Sequence, residues 1–261
     1  MNAHGDVLMK PEGDAHQLLI VLPTLNEGAR IVGVLSKLQA ARAAGARVVL
    51  VDGGSRDGTC MLATGLVDDV LTSAPGRGEQ IALGIASSTH EYIWMLHADS
   101  TITDQHYRAV LAAFDRGSVW GRFNVVIEQE SSAGLAANLR SPGKRCAASC
   151  AAGALRCISF MMNLRTRLTG IVTGDHGIFC RRSALQRAGG FPRQPLMEDI
   201  EVSRRLRRTG WPVALPNAIG TSGRRWQKRG VFSTVLRMWS YRLRYFFGAT
   251  PAALAREYYG E

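Results

Sequence analysis

Short runs of consecutive apolar residues alternate with amphipathic segments through the first hundred positions of the chain. Runs of the kind that form buried strands lie at residues 18–23, 47–51 and 91–96, and a shorter strand is predicted near 67–71. Between the first two runs, Ile31, Leu35 and Leu38 recur at helical spacing. Four alternations of strand and helix predict a single α/β domain with a mostly parallel central sheet flanked by helices.

The second half of the chain has a less regular pattern. Strands are predicted over 119–127 and 171–181, the latter around a Gly-Asp-His-Gly turn, and helices over 144–168, 195–210 and 231–247. No internal repeat or long linker divides the chain. We therefore predict a flexible tail over 1–16, one domain over 17–230, and a C-terminal amphipathic helix and tail over 231–261.

Composition places the chain among ordinary globular proteins. Its 261 residues are 46% apolar and 20% charged, which excludes disordered, collagen-like and coiled-coil proteins. Five cysteines without CxxC spacing argue against a disulfide framework or a structural zinc site. No run of about 18 apolar residues is present, and residues 1–16 lack the apolar core of a signal peptide. We expect a cytoplasmic protein that does not span a membrane.

Charge is distributed unevenly between the two halves. Residues 1–139 carry 10 Lys and Arg against 15 Asp and Glu, whereas residues 140–261 carry 22 against six. A basic half suggests an anionic partner such as a nucleoside diphosphate, an anionic membrane or a nucleic acid. Codon usage is an alternative source of the many Arg residues, since only four of the 32 basic residues are Lys. It does not account for the small number of acids in the second half.

Polar residues directly after the predicted strands are the first candidates for a site, because ligands of open α/β sheets bind beyond the carboxyl ends of the strands. These are Thr24, Asn26, Glu27, Asp52, Ser55, Asp57, His97 and Asp99. Asp99 is best placed for a divalent cation, although one carboxylate would need diphosphate oxygens to complete the shell. A helix cap is the alternative for Asp99.

Gly76-Arg77-Gly78 opens a predicted helix, and a helix N-terminus with an Arg is suited to an anion. The alternative is a glycine turn with a surface Arg. The glycine segments match neither the GxGxxG fingerprint nor the phosphate-loop pattern, and no GxSxG elbow is found. These absences count against a dehydrogenase, a phosphate-loop ATPase and a serine hydrolase.

Several motifs follow one another in a recognisable order. They are LPTLNE, VLVDGGSRDGT, GRGEQIALGI, YIWMLHAD, GDHGIF, GGFP, LMEDIEVSRRLRR and RRW. In this order they resemble family 2 glycosyltransferases with the A-type nucleotide-sugar fold, over roughly residues 17–230. The chain is most similar to a small bacterial subgroup labelled by its association with arsenosugar or radical-SAM gene clusters, a label that names no substrate.

The resemblance implies a role for each matching residue. The half at 17–115 would bind the nucleotide through Pro23, Thr24, Asn26, Glu27, Asp52, Gly53, Arg77 and Gln80. A Mg²⁺ or Mn²⁺ ion would be held at Asp99, with His97 beside it. In the half at 116–230, Asp199 would be the catalytic base of an inverting transfer, and the neighbouring Glu198 is expected to orient Arg204 or Arg205.

The acceptor or diphosphate would contact two further groups of residues. They are Gly174, Asp175 and His176 in one turn, and Arg224, Arg225 and Trp226 after a glycine-rich loop. For Asp175, a capped tight turn is the alternative.

Two motifs depart from the family pattern. The usual VDDGS reads Val51-Asp52-Gly53-Gly54-Ser55, so a second acid is missing. The usual Asp-x-Asp reads His97-Ala98-Asp99, so the first acid is a His that is either a softer metal ligand or a structural residue. These departures concern the strength and identity of the metal site more than the fold.

Partners and rival functions follow from the same features. The predicted donor is a nucleoside-diphosphate sugar, and the acceptor is an unknown small molecule or lipid-linked hydroxyl compound. Residues 231–247 would lie on an anionic membrane surface, pack in the core or form a homodimer. One rival is a sugar-phosphate nucleotidyltransferase, disfavoured because LPTLNEG has no basic residue before Arg30. Another is a nucleic-acid-binding protein, disfavoured by strand-end acids that repel phosphates, so no nucleic acid is expected.

Overall fold

The computed structural model describes residues 17–128, 142–223 and 231–260. The predicted tail at 1–16 and the predicted ligand contacts Arg224, Arg225 and Trp226 lie outside the described residues.

The described strands form one eight-stranded mixed sheet. They are β1 (Leu18–Thr24), β2 (Arg47–Asp52), β3 (Asp69–Thr72), β4 (Tyr92–Met95), β5 (Ser100–Thr101), β6 (Trp120–Glu128), β7 (Phe179–Arg181) and β8 (Val213–Ser222). Their order in the sheet is β3-β2-β1-β4-β7-β6-β8-β5. Strand β2 is parallel to β3 and to β1, and β1 is parallel to β4. Strand β6 is also parallel to β8. Strand β7 is antiparallel to both neighbours, and β5 is antiparallel to β8.

Helices connect and cover the strands. They are α1 (Gly28–Ala43), α2 (Thr59–Ala63), α3 (Arg77–Ala86), α4 (Asp104–Asp115), α5 (Pro142–Thr169), α6 (Arg182–Arg187), α7 (Glu198–Leu206), α8 (Val231–Phe246) and α9 (Pro251–Tyr259). A short 3₁₀ helix, Gly174–His176, precedes β7. In the described part of the chain, no helix is long and apolar enough to cross a membrane.

The sheet separates two apolar cores, because alternate residues of a strand point to opposite faces. Leu18, Ile20 and Leu22 of β1 face the core that α1 and α4 cover. Leu19 and Val21 face the core that α3, α6 and α7 cover. This three-layer arrangement confirms the predicted α/β domain with a mostly parallel sheet and flanking helices.

Two strand predictions differ from the structure. The strand predicted over 171–181 is restricted to β7, because the chain turns through the 3₁₀ helix and then through Gly177, whose φ of +56° is left-handed. Strand β8 was not predicted. It carries a bulge at Pro216 and Asn217, where the register with β6 shifts, and so lacks a continuous apolar run.

The alternative that Asp99 caps a helix is excluded by the structure. Helix α4 begins at Asp104, and Thr103 caps it in a reciprocal arrangement with His106. Asp99 instead lies in the turn after β4, in which the Ser100 N–H donates to the carbonyl of His97 at 3.2 Å.

Helix α3 packs so closely on the sheet that one position admits only glycine. A Cβ at Gly84 would lie 2.5 Å from Val21 Cγ1 and 3.0 Å from Val51 Cγ2. We expect Gly84→Ala to lower the free energy of unfolding by about 1–3 kcal/mol, the usual cost of overpacking. Gly33→Ala on α1 is the matched control, since its Cβ would meet nothing within 4 Å, and it should stabilise the chain by up to about 1 kcal/mol. Denaturant unfolding measures both, and equal stability of Gly84→Ala and wild type would contradict this packing.

Candidate active site

The carboxyl ends of β1 and β2 are joined by one buried amide. The side-chain Nε2 of Gln80 on α3 donates to the carbonyls of Thr24 at 2.7 Å and Val51 at 2.8 Å. The Gly53 N–H donates to the same Thr24 carbonyl at 2.9 Å. Gln80 therefore holds the two strand ends in register, and its amide hydrogens are used by the sheet.

Asp52 organises the turn that follows β2. Its Oδ2 accepts the backbone N–H groups of Gly54 at 2.8 Å and Ser55 at 2.7 Å, and the Ser55 hydroxyl donates to its Oδ1. Burial opposes ionisation of this side chain, but these hydrogen bonds outweigh it and lower the pKa of Asp52. The charged carboxylate thus shapes a loop of backbone groups at the sheet edge.

The loop after β1 is fastened to the loop after β2. Asn26 has a left-handed φ of +54°, its N–H donates to Ser55 Oγ at 2.8 Å, and its Oδ1 accepts the Arg56 N–H at 2.9 Å. The Glu27 N–H donates to Thr59 Oγ1 at 2.9 Å. Pro23 and Thr24 are buried below, whereas Asn26 is exposed. The two loops together form one wall beyond the sheet.

A pocket at the carboxyl end of β4 gathers side chains from distant parts of the sequence. Its polar lining consists of Arg77, His97, Gly174, Glu198 and Asp199, and its apolar lining of Ile81, Met95, Ile178 and Phe191. The structure therefore brings predicted diphosphate, metal, acceptor and catalytic residues into one place.

Asp199 is held by the backbone of the 3₁₀ turn. Its Oδ2 accepts the Gly174 N–H at 3.0 Å, and its Oδ1 accepts the Ile200 N–H at 2.7 Å. A Cβ at Gly174 would overlap the imidazole of His97, so glycine is needed there. On its other side, His97 Nδ1 lies 3.3 Å from Asp175 Oδ1. The glycine, the imidazole and the two carboxylates form one connected set.

Glu198 does not orient Arg204 or Arg205, and that prediction was wrong. Glu201 binds both, with Arg204 Nε at 2.9 Å and Arg205 Nε at 2.7 Å from its carboxylate, because residues three and four apart share a helix face. Glu198 faces the pocket instead, and its Oε1 lies 4.0 Å from Arg77 Nε. No local signal marks this pair, since Arg77 belongs to a different half of the chain.

Burial and the neighbouring Asp199 raise the pKa of Glu198 to about 7, against the opposing effect of Arg77. Burial opposes the charge of Arg77, but Glu198, Asp175 and Asp199 outweigh it and raise the pKa of this guanidinium. The pocket therefore combines a permanent cation with a carboxyl group that titrates near neutrality.

His176 is placed away from the pocket. Its side chain is fully buried, with Nδ1 3.0 Å from Thr173 Oγ1 and Nε2 3.4 Å from Thr166 Oγ1. Burial, with Arg165 and Arg122 nearby, lowers its pKa to about 3, so the ring is neutral. We assign this side chain to the turn rather than to the predicted acceptor contact.

The protein groups near Asp99 supply only part of a metal site. Within the described residues, no group of three or more His, Cys, Asp or Glu side chains is placed to hold an ion. The Nδ1 of His97 lies 3.3 Å from Asp175 Oδ1, and its Nε2 faces the position where a side chain at Gly174 would stand. Asp99 offers hard carboxylate oxygens, the type that Mg²⁺ and Mn²⁺ accept, but further oxygens would have to come from a diphosphate.

Comparison with known proteins places the chain in a family. The family model described as glycosyl transferase family 2 matches residues 19–188, more than half of the chain. The chain belongs to this family, and its sheet and helices match the A-type fold predicted from the motifs. No curated protein sequence matches it closely enough to be called a relative.

Solved structures with a similar fold include two that were determined in complex with a nucleotide sugar. One is a mannosyltransferase from Pyrobaculum calidifontis in complex with GDP-Man and Mn²⁺, with a TM-score of 0.53, 18% identity, and coverage of 82% of this chain and 60% of that one. The other is residues 1–349 of S. aureus TarS in complex with UDP-GlcNAc, with a TM-score of 0.55, 16% identity, and coverage of 78% and 58%. The matched part thus spans about three fifths of each of these proteins, and the likeness is one of fold.

The raised pKa of Glu198 has a consequence for stability. Between its ordinary pKa of 4.5 and the folded value of about 7, the folded chain binds more protons than the unfolded chain. The free energy of unfolding should therefore fall as pH rises through this window, by up to about 3 kcal/mol at about 1.4 kcal/mol per pKa unit. We expect Glu198→Gln to flatten this dependence in denaturant unfolding.

The matched control is Glu79→Gln, which changes a more exposed carboxylate that pairs with Arg193 on the surface. It should retain the wild-type slope. An equal slope in wild type and Glu198→Gln would show that Glu198 does not titrate in this window.

Proposed function

We propose that this chain transfers a sugar from a nucleoside-diphosphate sugar to a hydroxyl group of an acceptor, with Asp199 as the general base. The observation that carries the proposal is the fixed Asp199 carboxylate in a pocket at the carboxyl edge of a family 2 sheet, beside Arg77 and Glu198. The GDP-Man and UDP-GlcNAc complexes of the two similar structures support the donor class.

The donor would bind against the wall formed by the loops after β1 and β2. Asp52 fixes the backbone groups of that wall, which are suited to a base and ribose. Arg77, at the first turn of α3, would face the negative charge that develops on the leaving diphosphate. Glu198 positions this guanidinium, and in its neutral form it adds no negative charge near the phosphates.

Asp199 would take the proton of the acceptor hydroxyl as that oxygen attacks the anomeric carbon from the face opposite the diphosphate, which inverts the configuration. Its Oδ2 is oriented by the Gly174 N–H, so the carboxylate needs no rearrangement before it accepts the proton. His97 maintains this geometry by filling the space beside Gly174 and contacting Asp175.

A Mg²⁺ or Mn²⁺ ion would be held by Asp99 together with the donor diphosphate and water, as the incomplete set of protein ligands requires. Bound there, it would neutralise charge on the leaving diphosphate. The Mn²⁺ in the Pyrobaculum calidifontis mannosyltransferase supports a divalent ion in this fold.

Two carboxamide variants, Asp99→Asn and Asp199→Asn, test the proposed metal ligand and the proposed base separately. Thermal shift with uridine or guanosine diphosphate should show stabilisation that increases with Mn²⁺, and Asp99→Asn should remove the increase. Asp199→Asn should keep it while lowering transfer, measured as diphosphate release from a panel of nucleotide sugars, by about 10²–10⁴-fold.

Each variant is the control for the other, because both replace a carboxylate by an amide of equal size. Transfer at the wild-type rate in Asp199→Asn would remove it from the role of base. A persistent gain from Mn²⁺ in Asp99→Asn would place the metal elsewhere. If neither nucleotide binds the wild-type chain, the proposed donor class is wrong.

The likeness to the arsenosugar-associated subgroup stays a prediction, as does the cytoplasmic location. Neither the nucleotidyltransferase nor the nucleic-acid alternative is favoured by a feature of the pocket.

We further propose that α8 contacts an anionic membrane surface. One face of this helix is exposed and apolar, with Leu236, Trp239, Leu243 and Phe246 between 54% and 81% accessible, and Phe247 continues it. Their spacing of three and four residues forms a stripe of the kind that inserts into the lipid interface. Tyr241 on the opposite face is buried, so the stripe is not needed for the fold.

Replacing Trp239 and Phe246 by Ser should weaken binding to phosphatidylglycerol vesicles by about tenfold or more, because each large apolar side chain contributes about 1.5–3 kcal/mol when buried. Met61→Ser, at an exposed apolar residue outside the stripe, should leave binding unchanged. Cosedimentation measures the effect. The membrane proposal would be contradicted if the wild-type chain does not bind vesicles but forms a dimer through the stripe, as measured by analytical ultracentrifugation.

A further inference from the structure

Two arginines from different helices lie next to residues that pack against the segments carrying Asp175 and Asp199. Arg165 belongs to α5 and Arg242 to α8, and the negative charges of Asp199 and Asp175 act on both. Across the described ranges, neither guanidinium takes part in a salt bridge, and the Nε of each is buried without a hydrogen-bond partner. The two arginines, here called the Arg165–Arg242 pair, thus have unused donor capacity at the edge of the site.

The surroundings hold both arginines in place. Asn163, two residues before Arg165, exchanges hydrogen bonds of 2.9 and 3.0 Å with the backbone of Val125 on β6. Thr166, one residue after it, contacts His176 in the 3₁₀ turn. On α8, Tyr241 is buried with Met197, the residue before Glu198. Both helices are therefore anchored to the segments that carry Asp175 and Asp199.

The arrangement is electrostatically costly as it stands. Burial and the positive charge of Arg242 lower the pKa of Arg165 to about 10, and burial lowers the pKa of Arg242 as well. Asp175 and Asp199 offset part of the cost of burying these two charges, but the Nε–H of each guanidinium has no hydrogen-bond partner within the described residues. A bound anion that accepts from these groups would therefore stabilise the pair further. Guanidinium forks bind phosphate and carboxylate groups through two parallel hydrogen bonds.

This pair is distinct from the cation proposed for the donor. Arg77 reaches the pocket from α3 and contacts Glu198. The Arg165–Arg242 pair comes from the second half of the chain; Asp199 and Asp175 act on it and on Arg77 alike, but the contact with Glu198 belongs to Arg77. The catalytic carboxylate thus has a cation from the nucleotide half and two from the other half.

We propose that the Arg165–Arg242 pair is an anion subsite for the acceptor, so that the hydroxyl compound presented to Asp199 carries a phosphate or carboxylate group. The identification of the ligand as the acceptor rests on the proposed transfer reaction, whereas anion binding at this pair does not depend on turnover. An acceptor anchored at this pair would place its hydroxyl near the base while the diphosphate of the donor lies at Arg77.

Inorganic phosphate is the probe for the subsite. The chain is first saturated with uridine or guanosine diphosphate, whichever binds, and phosphate is then titrated by calorimetry and thermal shift. We expect phosphate to bind together with the nucleotide. Arg165→Met and Arg242→Met should each weaken phosphate binding by about tenfold to a hundredfold, the range for loss of hydrogen bonds to a charged group, and should leave nucleotide binding unchanged.

Two exposed arginines of the same helices are matched controls. Arg156→Met on α5 and Arg244→Met on α8 remove equal charge away from the subsite and should bind phosphate like the wild type. If either Met variant does not fold, Arg165→Lys and Arg242→Lys keep the charge but lose the planar fork, and should still weaken phosphate binding.

Several outcomes would overturn the proposal. One is complete displacement of phosphate by the nucleoside diphosphate, which would assign the pair to the donor. Another is equal phosphate binding by wild type and both pair variants. If no nucleotide binds at all, the same titration on the apo chain still tests the subsite, so its failure is separate from failure of the proposed function.

A second arm distinguishes a soluble anion from a lipid phosphate. Neutral phosphatidylcholine vesicles, with and without phosphatidic acid, are compared for wild type and the Arg165→Met variant. A loss of binding restricted to vesicles that contain phosphatidic acid would assign the subsite to a lipid-borne phosphate. Binding of soluble phosphate with no such loss would assign it to a soluble acceptor. If Arg165→Met binds soluble phosphate and both kinds of vesicle as the wild type does, the result counts against the subsite.

Discussion

The hydrogen bond from the Gly174 backbone to the Asp199 carboxylate is the constraint on which the site depends. It joins the start of α7 to the turn before β7, two segments that the sequence separates by more than twenty residues. The turn can approach His97 so closely only because Gly174 has no side chain, since a Cβ there would overlap the imidazole. One short contact therefore determines where the carboxylate of Asp199 points, and it places Asp175 against the imidazole of His97.

The distribution of charge around that contact gives the pocket its chemistry. Glu198 and Asp199 are adjacent in sequence, yet one is deeply buried beside Arg77 and the other accepts two backbone N–H groups. The difference in environment, rather than in residue type, makes one carboxyl group titrate near neutrality. Arg165 and Arg242, from the same half of the chain as Asp175 and Asp199, feel the negative charge of those two carboxylates, which accounts for part of the excess of basic residues there.

Much of the fold could be predicted from periodicity, because parallel strands in the core are continuous apolar runs and amphipathic helices repeat every three to four residues. Strand β8 could not, since its bulge at Pro216 and Asn217 interrupts the pattern that marks a strand. The candidate site divides in the same way. Asp52 and His97 follow strands and were found by position, whereas the partnership of Arg77 with Glu198 depends on an approach of α3 to α7.

The sequence by itself determined the layers, the order of the motifs and the family, because these follow from local patterns and from residues a few positions apart. Only the tertiary structure decided which acid faces which cation. Glu201 forms salt bridges with the two arginines that Glu198 was expected to orient, and the side chain of His176 is buried. The physical reason is that burial, charge pairing and side-chain direction depend on contacts between distant segments. Such contacts produce no recognisable spacing of residues in the sequence.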